Sequence, residues 1–349
     1  VLRQLQRLSR RVPLVGPRAS AIAVYADAAD RTFAAADIGY EGVACVDDAS
    51  RAAVLLMDVW DATHLPAVRE WAESLVDFLL YMQLEDGRFV NFIKSWDGVR
   101  NDDGPTSFAG GGFWHARGVR ALAKASLVLG DDNANRAMLK GLPLIREAVD
   151  VPSDVRSIHA LMTIELIRAG RMSAMRPELE RWADEMAQLR DGVVLHDNPD
   201  EGIPHLWGHV QEGVLAEAGA LLARPDLIDV ARQSALAFLA PVIESGFDEP
   251  MVQPYGVASA IYSVERLAAV TGEERFADLT RKARAWFDGR NPVGLPVYDR
   301  DAGRVHDGID DRVLNPHSGA ESNIVGAQAL IDDVVAGASR LFAPSSRTA

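Results

Sequence analysis

The chain has a single cysteine, Cys45, among its 349 residues. That excludes an internal disulfide framework and a cysteine-rich zinc site. The neighbours of Cys45 are apolar, so the sequence predicts a buried, inert thiol and not a nucleophile. No apolar run approaches the ~20 residues that a membrane-spanning helix needs. Positive charge is scarce: 36 Lys and Arg face 50 Asp and Glu, a formal net charge of −14. Phosphate contacts need clustered Lys and Arg, so nucleic acid is not the expected partner. A local basic groove for an acidic sugar would still be compatible with that balance. Glycine-rich phosphate loops, a His-Glu-x-x-His zinc helix and a Gly-x-Ser-x-Gly elbow are all missing. The start, Val1 to Leu8, is basic and amphipathic but lacks the apolar core of a signal peptide. A cytoplasmic location is therefore expected, and a first residue that is not Met leaves room for an upstream segment.

What is present is helical periodicity. The pattern predicts helices over 49–61, 66–83, 113–130, 133–149, 154–170, 175–190, 207–223, 226–245, 255–271, 273–288 and 320–337. Asp48, Asp154 and Ser318 are N-cap types near helix starts, and Gly130, Gly170 and Gly272 sit where helices should stop. Two short strand-like runs, 87–92 and 192–196, each follow an Asp-Gly turn. The helices fall into pairs in which the first member is apolar on most faces and the second carries a charged stripe. A helix apolar nearly all round is buried, and a striped one lies outside. The predicted fold class is therefore all-α: an (α/α)6 toroid over 39–341 with short β-hairpins in its loops. An open solenoid of helical hairpins is the competing architecture. The N-terminal helix and lead-in, 1–38, would close the ring, and 342–349 reads as a disordered tail.

In such a toroid the connections into the inner helices gather at one face, and here they carry the informative residues. Asp47 and Asp48 are adjacent acids at one helix start, and Glu321 lies at another, preceded by Asp307. One acid can serve as a cap, and the second is then available for chemistry. Glu41 is a further candidate. A rim of aromatic and polar side chains accompanies them: Tyr40, Trp114, His115, Arg117, Trp207, His209, Gln253, Tyr255, Asn315 and His317. Aromatic planes stack on the C–H faces of sugars while polar groups meet the hydroxyls. The competing expectation for each aromatic is an ordinary place in the core. His205 and His209 with Glu212 have a spacing that could hold a metal. Pro204 and Gly208 interrupt the helix that this would need, so no metal and no cofactor is expected.

Three stretches also carry a resemblance: 41–51 (EGVACVDDASR), 82–92 around Asp86-Gly87-Arg88-Phe89, and Asp307-Gly308 with Gly319-Ala320-Glu321-Ser322. They resemble bacterial α/α-toroid proteins related to six-hairpin glycosidases. The segment 111–118 departs from the Asp-Ser pair expected before a Gly-Arg-Ala helix. The resemblance implies a carbohydrate-active protein. The leading expectation is an inverting glycoside hydrolase in which Asp48 and Glu321 share the acid and base roles, with Asp47, Glu41 and Asp307 in reserve. The alternatives are a polysaccharide lyase or sugar epimerase, in which Tyr40, His209 and Arg117 matter most, and a non-catalytic glycan-binding domain associated with a glycosyltransferase.

Overall fold

The computed structural model describes residues 1–27, 32–197 and 204–342. In chain order the described helices are α1 (Leu2–Leu8), α2 (Val46–Thr63), α3 (Pro66–Met82), α4 (Gly112–Val128) and α5 (Asp132–Glu147). Next come α6 (Ser153–Arg168), α7 (Arg176–Gln188), α8 (Gln211–Leu222), α9 (Pro225–Ser234) and α10 (Ala240–Glu244). The last are α11 (Pro254–Thr271), α12 (Glu274–Arg284), α13 (Ala320–Ala329) and α14 (Ile331–Phe342). Two compact units divide the chain. The first comprises Val1–Leu142, Arg300–Arg304 and His317–Ala349, and the second Pro143–Asp299 and Val305–Pro316. The expected tail falls almost wholly on 343–349, outside the described residues.

In the first unit α2 is the central element and packs on α3, α4, α13 and α14. Its small and branched residues, among them Ala49, Ala52, Ala53, Leu55 and Leu56, are buried on nearly every side. The helix starts at Cys45, whose Sγ accepts the backbone N–H of Asp48 at 3.4 Å. The sulfur fills the capping role for which the sequence suggests Asp48, and so leaves that carboxylate to other partners. Ala44–Cys45 pairs with Phe92–Ile93 in a two-stranded ladder that fixes the entry to α2. Helix α1 packs on α13, and Gln4 Nε2 donates to the Phe33 carbonyl at 2.7 Å.

In the second unit α6 and α8 are the buried members. Fourteen of the sixteen residues of α6 are buried, against four of the thirteen of α7. That contrast is the inner and outer alternation expected from the charge stripes. Glu217 sits on the apolar α8 because Arg168, at 2.8 Å, and Arg266, at 3.6 Å, neutralise it. The Asp191-Gly192 turn joins Arg190–Asp191 to Val194–Leu195 in the expected hairpin. Ile309–Asp310 is the middle strand between Met251–Val252 and Val313–Leu314.

Three expected helices differ from those observed. The one expected from 207 starts at Gln211, because Gly208 takes a φ of +72° and the preceding residues form a turn. The one expected over 226–245 splits into α9 and α10 around a π-helical segment, Ala235–Leu239. Pro241 has no N–H for an α-helical bond to residue 237 and its ring crowds that carbonyl, so the turn widens. The one expected over 320–337 breaks at Leu330, with φ −114° and ψ 35°, into α13 and α14.

Gly308 shows how closely the backbones meet in the second unit. Its φ is +120°, and a Cβ there would lie 2.2 Å from the Val252 carbonyl oxygen. Gly308→Ala is expected to lower the unfolding free energy by at least about 2 kcal/mol. Gly170→Ala, at φ +70° with nothing within 4 Å, should lose only about 1 kcal/mol. Denaturant titration of the two variants checks the difference.

Candidate active site

In the first unit the adjacent acids Asp47 and Asp48 project from the first turn of α2, where the helix dipole favours negative charge. They face different partners. Asp48, 4% exposed, accepts from Arg51 Nη2 at 2.7 Å. The same guanidinium reaches across to α13, where Nη1 donates to Glu321 Oε1 at 2.8 Å. One arginine thus joins two acids 273 positions apart in the chain (48 and 321). Burial pushes the Asp48 carboxyl above its ordinary value against the pull of Arg51, with Glu321 and Asp47 adding to the rise. Asp47 Oδ1 accepts from Arg117 Nη1 at 2.8 Å, and its Oδ2 from Asn91 Nδ2 at 3.3 Å. The Arg117 guanidinium also lies 4.8 Å from the centre of the Phe113 ring.

The second unit holds an imidazole–carboxylate cluster. His209 is fully buried, with Nδ1 2.6 Å from Asp197 Oδ1 and Nε2 2.9 Å from Glu212 Oε1. Burial alone would lower the His209 pKa, but Glu212 and Asp197 outweigh it and raise it to about 10. At neutral pH the ring is therefore an imidazolium donating from both nitrogens. Burial would likewise raise Asp197, yet His209, by hydrogen bond and by charge, and then His205 hold it below its ordinary value. Asp197 Oδ1 also accepts from Gln211 Nε2 at 2.7 Å, and its Oδ2 accepts the His205 backbone N–H at 3.1 Å.

His205 carries the cluster outward. Its ring lies 3.7 Å from Asp197 Oδ2 through Nδ1 and 3.9 Å from Asp154 Oδ2 through Nε2, and its side chain is 16% exposed. It stacks on Trp207 with centroids 3.8 Å apart and planes within 5°. Trp207 is 41% exposed, with Tyr255 tilted against it at 6.3 Å. The Trp207 turn is fixed from below by the Gly208 N–H, which donates to Ser259 Oγ at 3.0 Å. An exposed, rigid indole beside a partly exposed imidazole is a combination suited to a sugar ring.

The remaining expected residues are distributed as follows. Tyr40 and His317 are exposed in the first unit, and Gln253 is exposed in the second. Asp307 is half-buried and belongs to the second unit, whereas Asp48, Arg51 and Glu321 belong to the first. Glu41 accepts the Thr106 N–H with both carboxylate oxygens, at 2.9 and 3.1 Å, and so staples a loop. Asn315 Nδ2 donates to Asp310, and its carbonyl meets His306 Nδ1. Two expectations are corrected. Trp114 is 7% exposed, with its indole N–H donated to the Phe89 and Phe108 carbonyls, so it is a core aromatic and not a sugar platform. His115 is 5% exposed, packs edge-on to Phe89, and places Nε2 3.2 Å from the Gly141 carbonyl; burial lowers its pKa. His209 too is sealed from solvent. Both of its nitrogens face carboxylates, which leaves none for the metal set that the spacing with His205 and Glu212 suggested.

Sequence reasoning gave no role to Arg51, Asn91 or Asp197. Arg51 stands one turn after the acid pair, the usual spacing of a helical ion pair, so a signal existed. Asp197 has none, because it reaches His209 only after the Arg190–Leu195 hairpin has folded back.

The His209 cluster sets a pH dependence of stability. Its folded pKa, about 10, exceeds the ordinary 6.5. Its contribution is therefore complete below about 6.5 and is lost as pH rises through about 10. The unfolding free energy is expected to fall between pH 7 and 10, with this one group supplying a slope of up to about 1.4 kcal/mol per pH unit. His209→Gln should flatten that slope, as read by denaturant titration across the range.

No family model and no curated protein matches the chain in sequence. Solved structures do match in fold. The cellobiose 2-epimerase of Spirochaeta thermophila superposes with a TM-score of 0.73 at 13% identity, over 96% of this chain and 94% of that one. A D-mannose isomerase gives 0.64 at 11% identity, over 83% of this chain and 87% of that one. A family 76 glycoside hydrolase from a bovine Bacteroides thetaiotaomicron strain gives 0.67 at 9% identity, over 95% and 76%. The fold class is that of these α/α-toroid enzymes, mostly helical with small β-hairpins.

Proposed function

We propose that the chain is a carbohydrate-active enzyme that moves a proton on a reducing sugar, as an epimerase or isomerase. The observation that carries this reading is the cluster His205–Asp197–His209–Glu212, in which only His205 reaches solvent, beside the exposed face of Trp207. In an open-chain sugar the C–H next to the carbonyl is acidic because the anion spreads onto oxygen as an enediolate. His205 is the proton carrier in this proposal. On taking the proton it becomes an imidazolium between the carboxylates of Asp154 and Asp197. If the enediolate turns about its C2–C3 bond, His205 returns the proton to the opposite face of the same carbon and gives the epimer; return to the neighbouring carbon gives the isomer. No oxidant is needed and no atom is lost. Enzymes named as epimerases and an isomerase among the fold's neighbours support the assignment.

The hydrolase reading rests on the first unit, where a buried acid with a raised pKa, Asp48, accompanies a half-exposed Glu321. An inverting pair needs its carboxyls about 6.5–9.5 Å apart, with sugar and water between them. Here both carboxylates hold the same guanidinium, and Arg51 fills that place. The geometry favours proton transfer on the sugar over cleavage of its linkage.

Incubation with D-mannose, D-glucose and cellobiose in deuterated water tests this. The expected outcome is deuterium at C2 of the epimer or at C1 of the ketose, read by proton NMR. His205→Asn is expected to lower that rate by roughly 10²–10⁴, the usual weight of a general acid–base group. New reducing ends from an oligosaccharide, without exchange at C2, would establish hydrolysis instead; Glu321→Gln should then abolish it. Sugar binding with neither outcome would identify a glycan-binding domain.

A further inference from the structure

The π-helical segment Ala235–Leu239 lies against the imidazolium cluster of the second unit. Ser234, fully buried at its start, is bonded in two directions. Its Oγ donates to Glu212 Oε1 at 2.8 Å and accepts the Leu195 N–H at 3.0 Å. Four residues on, the Phe238 ring meets the His209 ring edge-on, 5.2 Å between centres. The wide turn closes with the Ala240 N–H on the Ala235 carbonyl, five residues back. Pro241 imposes that closure, since it cannot supply the next α-helical N–H. Wide turns of this kind interrupt regular helix geometry and are frequent at functional sites.

We propose that Ser234 and the wide turn enforced by Pro241 are a positioning device for the His209–Glu212 pair. Ser234 gives Glu212 Oε1 a second donor beside His209 Nε2, which pins that oxygen; among the described residues Oε2 has the longer 3.5 Å contact with Ser263 Oγ. Phe238 closes the adjoining face of the imidazole. Through Leu195 the same hydroxyl anchors the strand that leads to Asp197, the other partner of His209. The groups around His209 are then accounted for by element: Glu212 from α8, Asp197 from the hairpin exit, and Phe238 from the wide turn. Behind Glu212 stand Ser234 from the end of α9 and Ser263 from α11. Ser234 touches no substrate and acts only through Glu212 and His209.

The role assigned to the cluster rests on the proton-transfer reading above, so the test has one arm that needs no activity. In protein labelled with ¹⁵N-histidine, Ser234→Ala is expected to shift the His209 ring resonances and lower the pH at which they titrate. Ser234→Thr, which keeps the hydroxyl, should restore both. Pro241→Ala, which keeps Ser234 but permits an α-turn, should move the same resonances by altering the Ser234–Phe238 spacing. In the exchange assay Ser234→Ala should lower kcat about 10–100-fold, the weight of a hydrogen bond to a charged group, with KM changed less than about twofold. Unchanged His209 resonances in both Ser234→Ala and Pro241→Ala would overturn the proposal. Should Ser234→Ala fail to fold, Pro241→Ala alone decides it. If the wild type shows no exchange on any sugar, the functional reading fails, and the resonance arm still decides the positioning role.

Discussion

A charge removed from water must meet its opposite, and that requirement organises the polar interior of both units. In the first, Asp48 near the start of α2 would be costly to bury alone, and Arg51 makes it tolerable. The arginine's second nitrogen is then committed to Glu321. An apolar helix from one end of the chain and one from the other are thereby held by a single planar fork. In the second unit the same demand is met by His209, which has carboxylates at both ring nitrogens. Removing either partner would strand a buried charge, so the two clusters specify how α2 meets α13 and how the 190–197 hairpin meets α8 more sharply than apolar packing does.

The apolar periodicity and its charged outer stripes suffice to read the helical class and the order of buried and exposed helices, because burial of a whole helix leaves its mark on every residue. α6 and α7 show this plainly. Breaks inside helices are harder to read. Pro241 was visible, but whether a proline kinks, ends or widens a helix depends on what receives the displaced carbonyls. The start of α8 was misplaced by four residues, since Trp207 and Gly208 continue the apolar pattern while forming a turn.

The site divides in the same way. The acids at helix starts were legible because their position near the dipole is a local property. The conversion of Trp114 and His115 into core residues was not, because it depends on the Phe89 segment and the 105–111 loop closing over them. Asp197 and Ser234 are unremarkable in sequence. Each gains its meaning from a contact made across an intervening turn, to His209 and Glu212 respectively.

The two clusters differ in what their cations can do. Arg51 and Arg117 hold Asp48, Glu321 and Asp47 with guanidinium groups that keep their protons throughout the range in which proteins are stable. Such pairs fix geometry and field but do not pass protons. Imidazole differs: it gains or loses a proton near neutrality, and its carboxylate neighbours decide where. In the second unit one imidazole, His209, is held in the charged state by the carboxylates of Glu212 and Asp197, which outweigh the effect of its burial. The other, His205, keeps an edge to solvent between two carboxylates at 3.7 and 3.9 Å. The charged ring helps to hold Asp197 below its ordinary value. The proposed proton transfer would thus put the mobile charge on His205, with the carboxylate of Asp197 between it and the fixed charge of His209. A site that must lift a proton from carbon and set it down again needs that division, whereas cleavage of a glycosidic bond needs two carboxyls left facing each other across a sugar.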